Sequence, residues 1–135
     1  MAGSFADYLE NKALDHVFGK TSFNASDNLY VGLSTTTITD AGGNITEPSG
    51  GAYARVAIAN NKTTWTTASG GSISNAITIT FAAATSAWGT VTDMFISDSS
   101  SAGNIYVYDD LTTSKAVTSG DTVQFVPGDL TINLG

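Results

Sequence analysis

From Leu29 onward the chain alternates apolar and polar residues in steps of two, and that period restricts it to a β-rich fold. Leu29, Val31 and Leu33 share one strand face, with Tyr30, Gly32 and Ser34 on the other. Val56 and Ile58 alternate with Arg55 and Ala57, Ile77, Ile79 and Phe81 with Thr78 and Thr80, and Leu130, Ile132 and Leu134 with Thr131 and Asn133. One face of each such strand goes to a core, and Thr suits the other because its β-branch fits the pleat while its hydroxyl stays wet. Clusters of turn formers separate the runs: Asp40-Ala-Gly-Gly-Asn44, Glu47-Pro-Ser-Gly-Gly51, Ala68-Ser-Gly-Gly-Ser72 and Asp98 to Asn104. The pattern predicts an all-β fold over about 28–134, an antiparallel sandwich or jelly-roll-like barrel.

One helix precedes it. Phe5, Tyr8, Leu9, Ala13, Val17 and Phe18 recur at spacings of three and four, which predicts a helix from about Phe5 to Phe18 ended by Gly19. Ser4 with Asp7 three residues on reads as a capping box. A helix of about four turns is marginal alone, so its stripe must be buried, on the sheet or on another subunit.

Three segments are apolar on both faces: Val91 to Ile96, Ile105 to Tyr108, and Val123 to Val126. A sandwich strand needs only one apolar face, so these require a second cover, either the helix or a neighbouring copy. Thr35 to Gly51 is the longest stretch without strand character, and a loop of that length is expected to be functional or draped over a neighbour.

With 135 residues the chain fits a single domain, 1–135. Its formal charge of −7 disfavours nucleic-acid phosphates and anionic lipid as partners. Without cysteine there is no disulfide, thiol nucleophile or thiolate metal site. No apolar run approaches the roughly 20 residues that span a bilayer, and the first residues lack a signal-peptide pattern, so a soluble, unprocessed chain is expected.

The candidates for chemistry are few. His16, the only histidine, lies in the predicted helix, far from any evident Ser or Asp partner set. Asp109 and Asp110 are adjacent on a strand and point to opposite faces, so they do not converge on one bond. The Asp98 to Asn104 loop is dense in oxygen but lacks EF-hand spacing. No phosphate-binding glycine motif follows a strand, and sequons at Asn24, Asn44 and Asn61 carry no weight without a secretory signal. Arg55, the only arginine, is placed to form a bidentate pair with a carboxylate, within the chain or across subunits. Trp65, Trp88, Tyr30, Tyr53, Tyr106 and Tyr108 are core residues, partner anchors or sugar platforms.

The segments Ser4-Phe-Ala-Asp-Tyr-Leu-Glu-Asn-Lys-Ala-Leu-Asp-His-Val-Phe18, Leu29-Tyr-Val-Gly-Leu-Ser34, Glu47-Pro-Ser-Gly-Gly-Ala-Tyr-Ala-Arg-Val56, Trp88-Gly-Thr-Val91 and Ser119-Gly-Asp-Thr-Val-Gln-Phe-Val-Pro-Gly-Asp-Leu-Thr-Ile132 resemble, in that order, small virion proteins of tailed bacteriophages. Such proteins are often labelled tail fibre proteins, while similar small β-rich proteins decorate capsids as cement. The resemblance implies a structural role without catalysis or cofactor: decoration of the phage head exterior, with the major capsid protein as partner. It implies a homo-oligomer, in the first place a trimer at local three-fold positions, where weak contacts add through multivalency. A tail fibre or baseplate component that contacts the host surface is the alternative. The residues expected at interfaces are Phe5, Leu9, Phe95, Tyr106, Tyr108, Arg55 and Glu47, and the Thr35 to Gly51 loop is expected to reach towards the capsid.

Overall fold

In the computed structural model, which describes residues 2–134, the alternating runs become strands around one main core. The elements in chain order are β1 (Ala2–Phe5), α1 (Asp7–Phe18), β2 (Asn28–Ser34), β3 (Val56–Ala59) and β4 (Ser72–Ser74), then β5 (Ile79–Thr80), β6 (Gly89–Ser97), β7 (Ile105–Val117), β8 (Gln124–Phe125) and β9 (Thr131–Asn133). Seven strands form a sheet in the order β3-β2-β6-β7-β1-β9-β4, which curls into a half-barrel, and β5 and β8 form a separate ribbon. The fold is therefore all-β with one N-terminal helix, as the alternation predicts. One pairing departs from the antiparallel rule: β1 runs parallel to β9, with Gly3 opposite Ile132.

The concave face of the sheet takes Leu29, Val31, Leu33, Met94 and Ile96, and the ribbon closes it with Ile79, Phe81, Val123 and Phe125. Each large aliphatic side chain buried there stabilises the fold by roughly 1.5–3 kcal/mol. Thr78 and Thr80 face solvent as expected. Leu134 does not join the core; β9 ends at Asn133 and the leucine is 58% exposed.

The capping box does not form. Ser4 pairs with Tyr108 inside β1, and α1 starts two residues beyond the predicted point, after Ala6, which has no side-chain cap. Asp7 instead donates its amide N–H to the Asp40 carbonyl at 2.9 Å. Pairing of β1 with strands on both sides outweighs a single cap, which is worth about 1 kcal/mol.

The second face of β6 and β7 is covered from within the chain. Phe95, fully enclosed, packs with Ile38, Ile105 and Ala6, flanked by Ile45 and Tyr108. The cover is the chain's own Thr35 to Gly51 segment, which folds back on the sheet as a flap. Thr35 and Thr39 donate backbone N–H groups to the Thr46 and Gly43 carbonyls. The Ile38 amide donates to Asp93 Oδ2 at 3.0 Å, and the Thr46 amide to Ser34 Oγ at 3.1 Å. Two isoleucines in a Gly-rich stretch give it enough buried surface to fold back.

Candidate functional site

The Glu47 to Arg55 stretch, the most distinctive motif in the sequence, closes on itself as a clasp. Gly50, Gly51 and Ala52 take φ of 72°, 59° and 65°, turning the chain so that Arg55 returns to Glu47. At Gly51 a Cβ would lie 2.8–2.9 Å from Ser86 and Trp88, so only glycine fits. Trp88 Nε1 donates to the Gly51 carbonyl at 2.8 Å. The guanidinium of Arg55 then makes the bidentate pair expected of it, Nε to Glu47 Oε1 and Nη2 to Oε2, both at 2.9 Å. The partner carboxylate belongs to the same chain.

Every other polar group near the clasp is also engaged. Nη1 of Arg55 donates to Ser97 Oγ and to the Ser99 and Ala102 carbonyls at 2.8–2.9 Å. Tyr53 donates its hydroxyl to Glu47 Oε1 at 2.7 Å and accepts the Leu33 amide N–H at 2.9 Å. Burial pushes the Glu47 carboxyl up, but hydrogen bonds from Arg55 and Tyr53 outweigh it and hold it below the usual carboxylate range. Burial pushes the Tyr53 hydroxyl well above its ordinary value. The guanidinium also lies 4.8 Å from the Phe95 ring centroid, with Gly32 against the same ring.

That arrangement decides several candidates. The Asp98 to Asn104 loop offers its carbonyls to Arg55, while Asp98 accepts the Asn104 backbone and side-chain N–H groups at 2.8 and 2.9 Å. A guanidinium thus takes the oxygens a cation would need. Trp65 and Trp88 are core residues, at 6% and 5% exposure. Tyr106, also buried, stacks on Tyr8 at 5.8 Å. His16 is exposed on α1. Asp109 and Asp110 diverge as predicted, Asp110 to solvent and Asp109 towards a small internal cleft beside Gly3, Met94 and Leu130. Burial raises the pKa of Asp109; the facing Asp93 carboxylate, which favours a protonated neighbour able to donate to it, raises that of Asp110. Asp7, Glu10 and Asp40 cluster in the open at the start of α1. Tyr108 donates its hydroxyl to Asp40 at 2.7 Å, and that bond pushes its own pKa up to about 12.

Of the seven residues expected at interfaces, Phe95 has no exposed surface and Arg55 has 5%, so both are spent inside the chain. Phe5 and Leu9 are half-buried at the root of α1, beside an exposed apolar patch. Tyr8 and Leu9 pack on the sheet, but every residue from Leu14 to Lys20 is exposed. Leu14, Val17, Phe18 and Leu134 are 57%, 64%, 82% and 58% exposed and, with Phe5, line a groove of about 350 Å³. The helical spacing marks Val17 and Phe18 as apolar, and the overlooked signal was Leu14: it lies on the flank opposite Leu9, so the helix is apolar on two sides.

The half-barrel thus carries a clasp in which Arg55 and Glu47 are joined within the chain, and an α1 whose last turns are apolar and exposed. Residues 4–133 match the model of a family described as podophage GP4 fiber I protein gp80, and the chain belongs to that family of phage virion proteins. No curated protein matches it.

Proposed function

We propose that this protein is a non-catalytic structural subunit of the phage particle and that it serves in the fibre apparatus, as a homo-oligomer. The observation that carries this reading is the family match across residues 4–133, a family described by the word fiber. The chemistry of the chain agrees with it. Glu47, Arg55, Asp93 and Asp98 each hold a loop or strand in place, a structural use of charge that suits such a subunit.

Capsid decoration, with the protein bridging neighbouring capsomers of the major capsid protein on the head exterior, is the second reading. It is favoured by the half-barrel body and by a flap that is folded back, features suited to lying flat on a shell. Electron cryo-microscopy of intact particles carrying a labelled copy of the chain separates the two. Label confined to the tail region supports the fibre; hundreds of copies on the head support decoration, and removing them should then lower the temperature at which heads burst.

A further inference from the structure

β1 and the first turn of α1 form a plug that the rest of the chain is built to receive. β1 fills the gap between β7 and β9, paired with Tyr108 and Val107 on one side and with Thr131 and Ile132 on the other. Ala6, 1% exposed, packs against Phe95, and its amide N–H donates to the Tyr106 carbonyl at 2.9 Å. Tyr8 stacks on the Tyr106 ring. β1 is thus the strand that joins the two parts of the sheet.

The plug sits on a stalk. From Glu10 to Lys20 every residue except Ala13 is exposed. α1 then ends in a turn that folds the chain back, the Gly19 and Thr21 amides both donating to the Asp15 carbonyl at 2.9 and 3.0 Å. The left-handed position that closes a helix is normally a glycine's. Here Gly19 stands one residue early, at φ −116°, and Lys20 takes the φ of 52°, a region in which a side chain is strained. Thr21 to Asp27 has no helix or strand, so among the described residues Gly19 to Asp27 is a single irregular link between the plug with its stalk and the rest of the sheet.

A docked plug, an undocked stalk and a strained turn are the parts of an exchanged element. The plug makes the same pairings whether the gap between β7 and β9 belongs to its own chain or to a neighbour, so the choice rests on the hinge and on how close the copies stand. Opening the turn releases Lys20 from its strained φ, and copies held side by side in a particle raise the local concentration of neighbouring gaps. We infer that β1 and α1 are exchanged between copies, each chain's Ala2–Phe5 seated between β7 and β9 of a neighbour. The occupant is a second copy, since the structure itself shows the fit of this segment in this gap. The exchange rests on the homo-oligomer of the proposed function and supplies its contact: every copy depends on another for a central strand.

The test uses engineered cysteines, because the chain has none of its own. Ser4 and Tyr108 face each other across β1 and β7, and the Cα atoms of such a pair stand about 5.5 Å apart, a separation a disulfide spans. Full-length Ser4→Cys and Tyr108→Cys chains are unfolded, mixed, refolded together and oxidised, with circular dichroism as a check on the fold. Exchange should give a disulfide-linked pair of unlike chains on a denaturing gel, and the chain carrying both substitutions should give covalent multimers. Links confined within single chains would overturn it. A second measurement needs no cysteine. In sedimentation velocity, Lys20→Pro, which cannot adopt a positive φ, should tighten self-association about fivefold or more, and Lys20→Gly, which adopts it freely, should weaken it. Equal association of these two variants and the wild type would also overturn the exchange. An oligomer whose disulfides stay within single chains sinks the exchange and leaves the homo-oligomer standing; a wild-type monomer at the highest concentration sinks both. None of these outcomes bears on where the label sits on the particle, so the exchange and the fibre assignment fail separately.

Discussion

Arg55 joins the Glu47 turn to the distant Ser97 to Ala102 stretch, and its removal should be felt in both. Arg55→Ala would leave Glu47 as a half-buried carboxylate with one partner and free the Ser99 and Ala102 carbonyls. An unpaired group of this kind costs about 3–5 kcal/mol, readable as a fall in the urea midpoint. Arg55→Lys keeps the charge but not the fork, and should recover only part of that loss. Since Glu47 titrates below its ordinary value of 4.5, the clasp contributes fully above that pH and is lost as pH falls through the lowered value. The gap in stability between wild type and Glu47→Gln should therefore be wide at pH 7 and close only as pH falls through the lowered Glu47 value. At Gly32 the constraint is steric: a Cβ would enter the Phe95 ring. Gly32→Ala should destabilise by about 1–3 kcal/mol, and Phe95→Leu in the same chain should relieve part of it, giving a coupling of opposite sign in a double-mutant cycle.

Among the elements, those that were legible owe their form to local pattern. In β2 and in the run around Ile79 the apolar residues recur in step, and the sheet follows them. β1 was hidden, because Ala-Gly-Ser-Phe has no alternation and owes its strand form entirely to partners at Tyr108 and Ile132, far along the chain. The flap was hidden for the same reason: its Gly-rich composition reads as loop, and only contact with Phe95 gives Ile38 and Ile45 a core. Two-sided apolarity of β6 and β7 was visible, but not the identity of the cover. Where β6 faces β7, Asp93 sits opposite Asp110, two acids in one cross-strand pair. The facing Asp93 carboxylate raises the Asp110 pKa, so the folded state binds more protons than the unfolded chain. This contribution is present below the ordinary Asp pKa and is lost as pH rises through the raised value. Asp110→Asn should raise the melting temperature at pH 7 and change it little at pH 3.5, the reverse of the Glu47→Gln pattern.

At the scale of the molecule, the sequence carries the class of protein but not the contact through which it works. The segments with a phage-protein signature turn out to be those that build the clasp and the half-barrel, so they report the fold rather than a site. Leu14, Val17, Phe18 and Leu134 stay exposed, and the sequence does not show that none of the described residues covers them. β1 supplies one last consequence. It is wedged between β7 and β9, with Gly3 opposite Ile132, the pairing most distant in sequence among the described strands. A contact of such long range is slow to form, because a long loop must close before the pairing rewards it. Since α1 springs directly from β1, the root of the helix takes its full support only once that pairing is made.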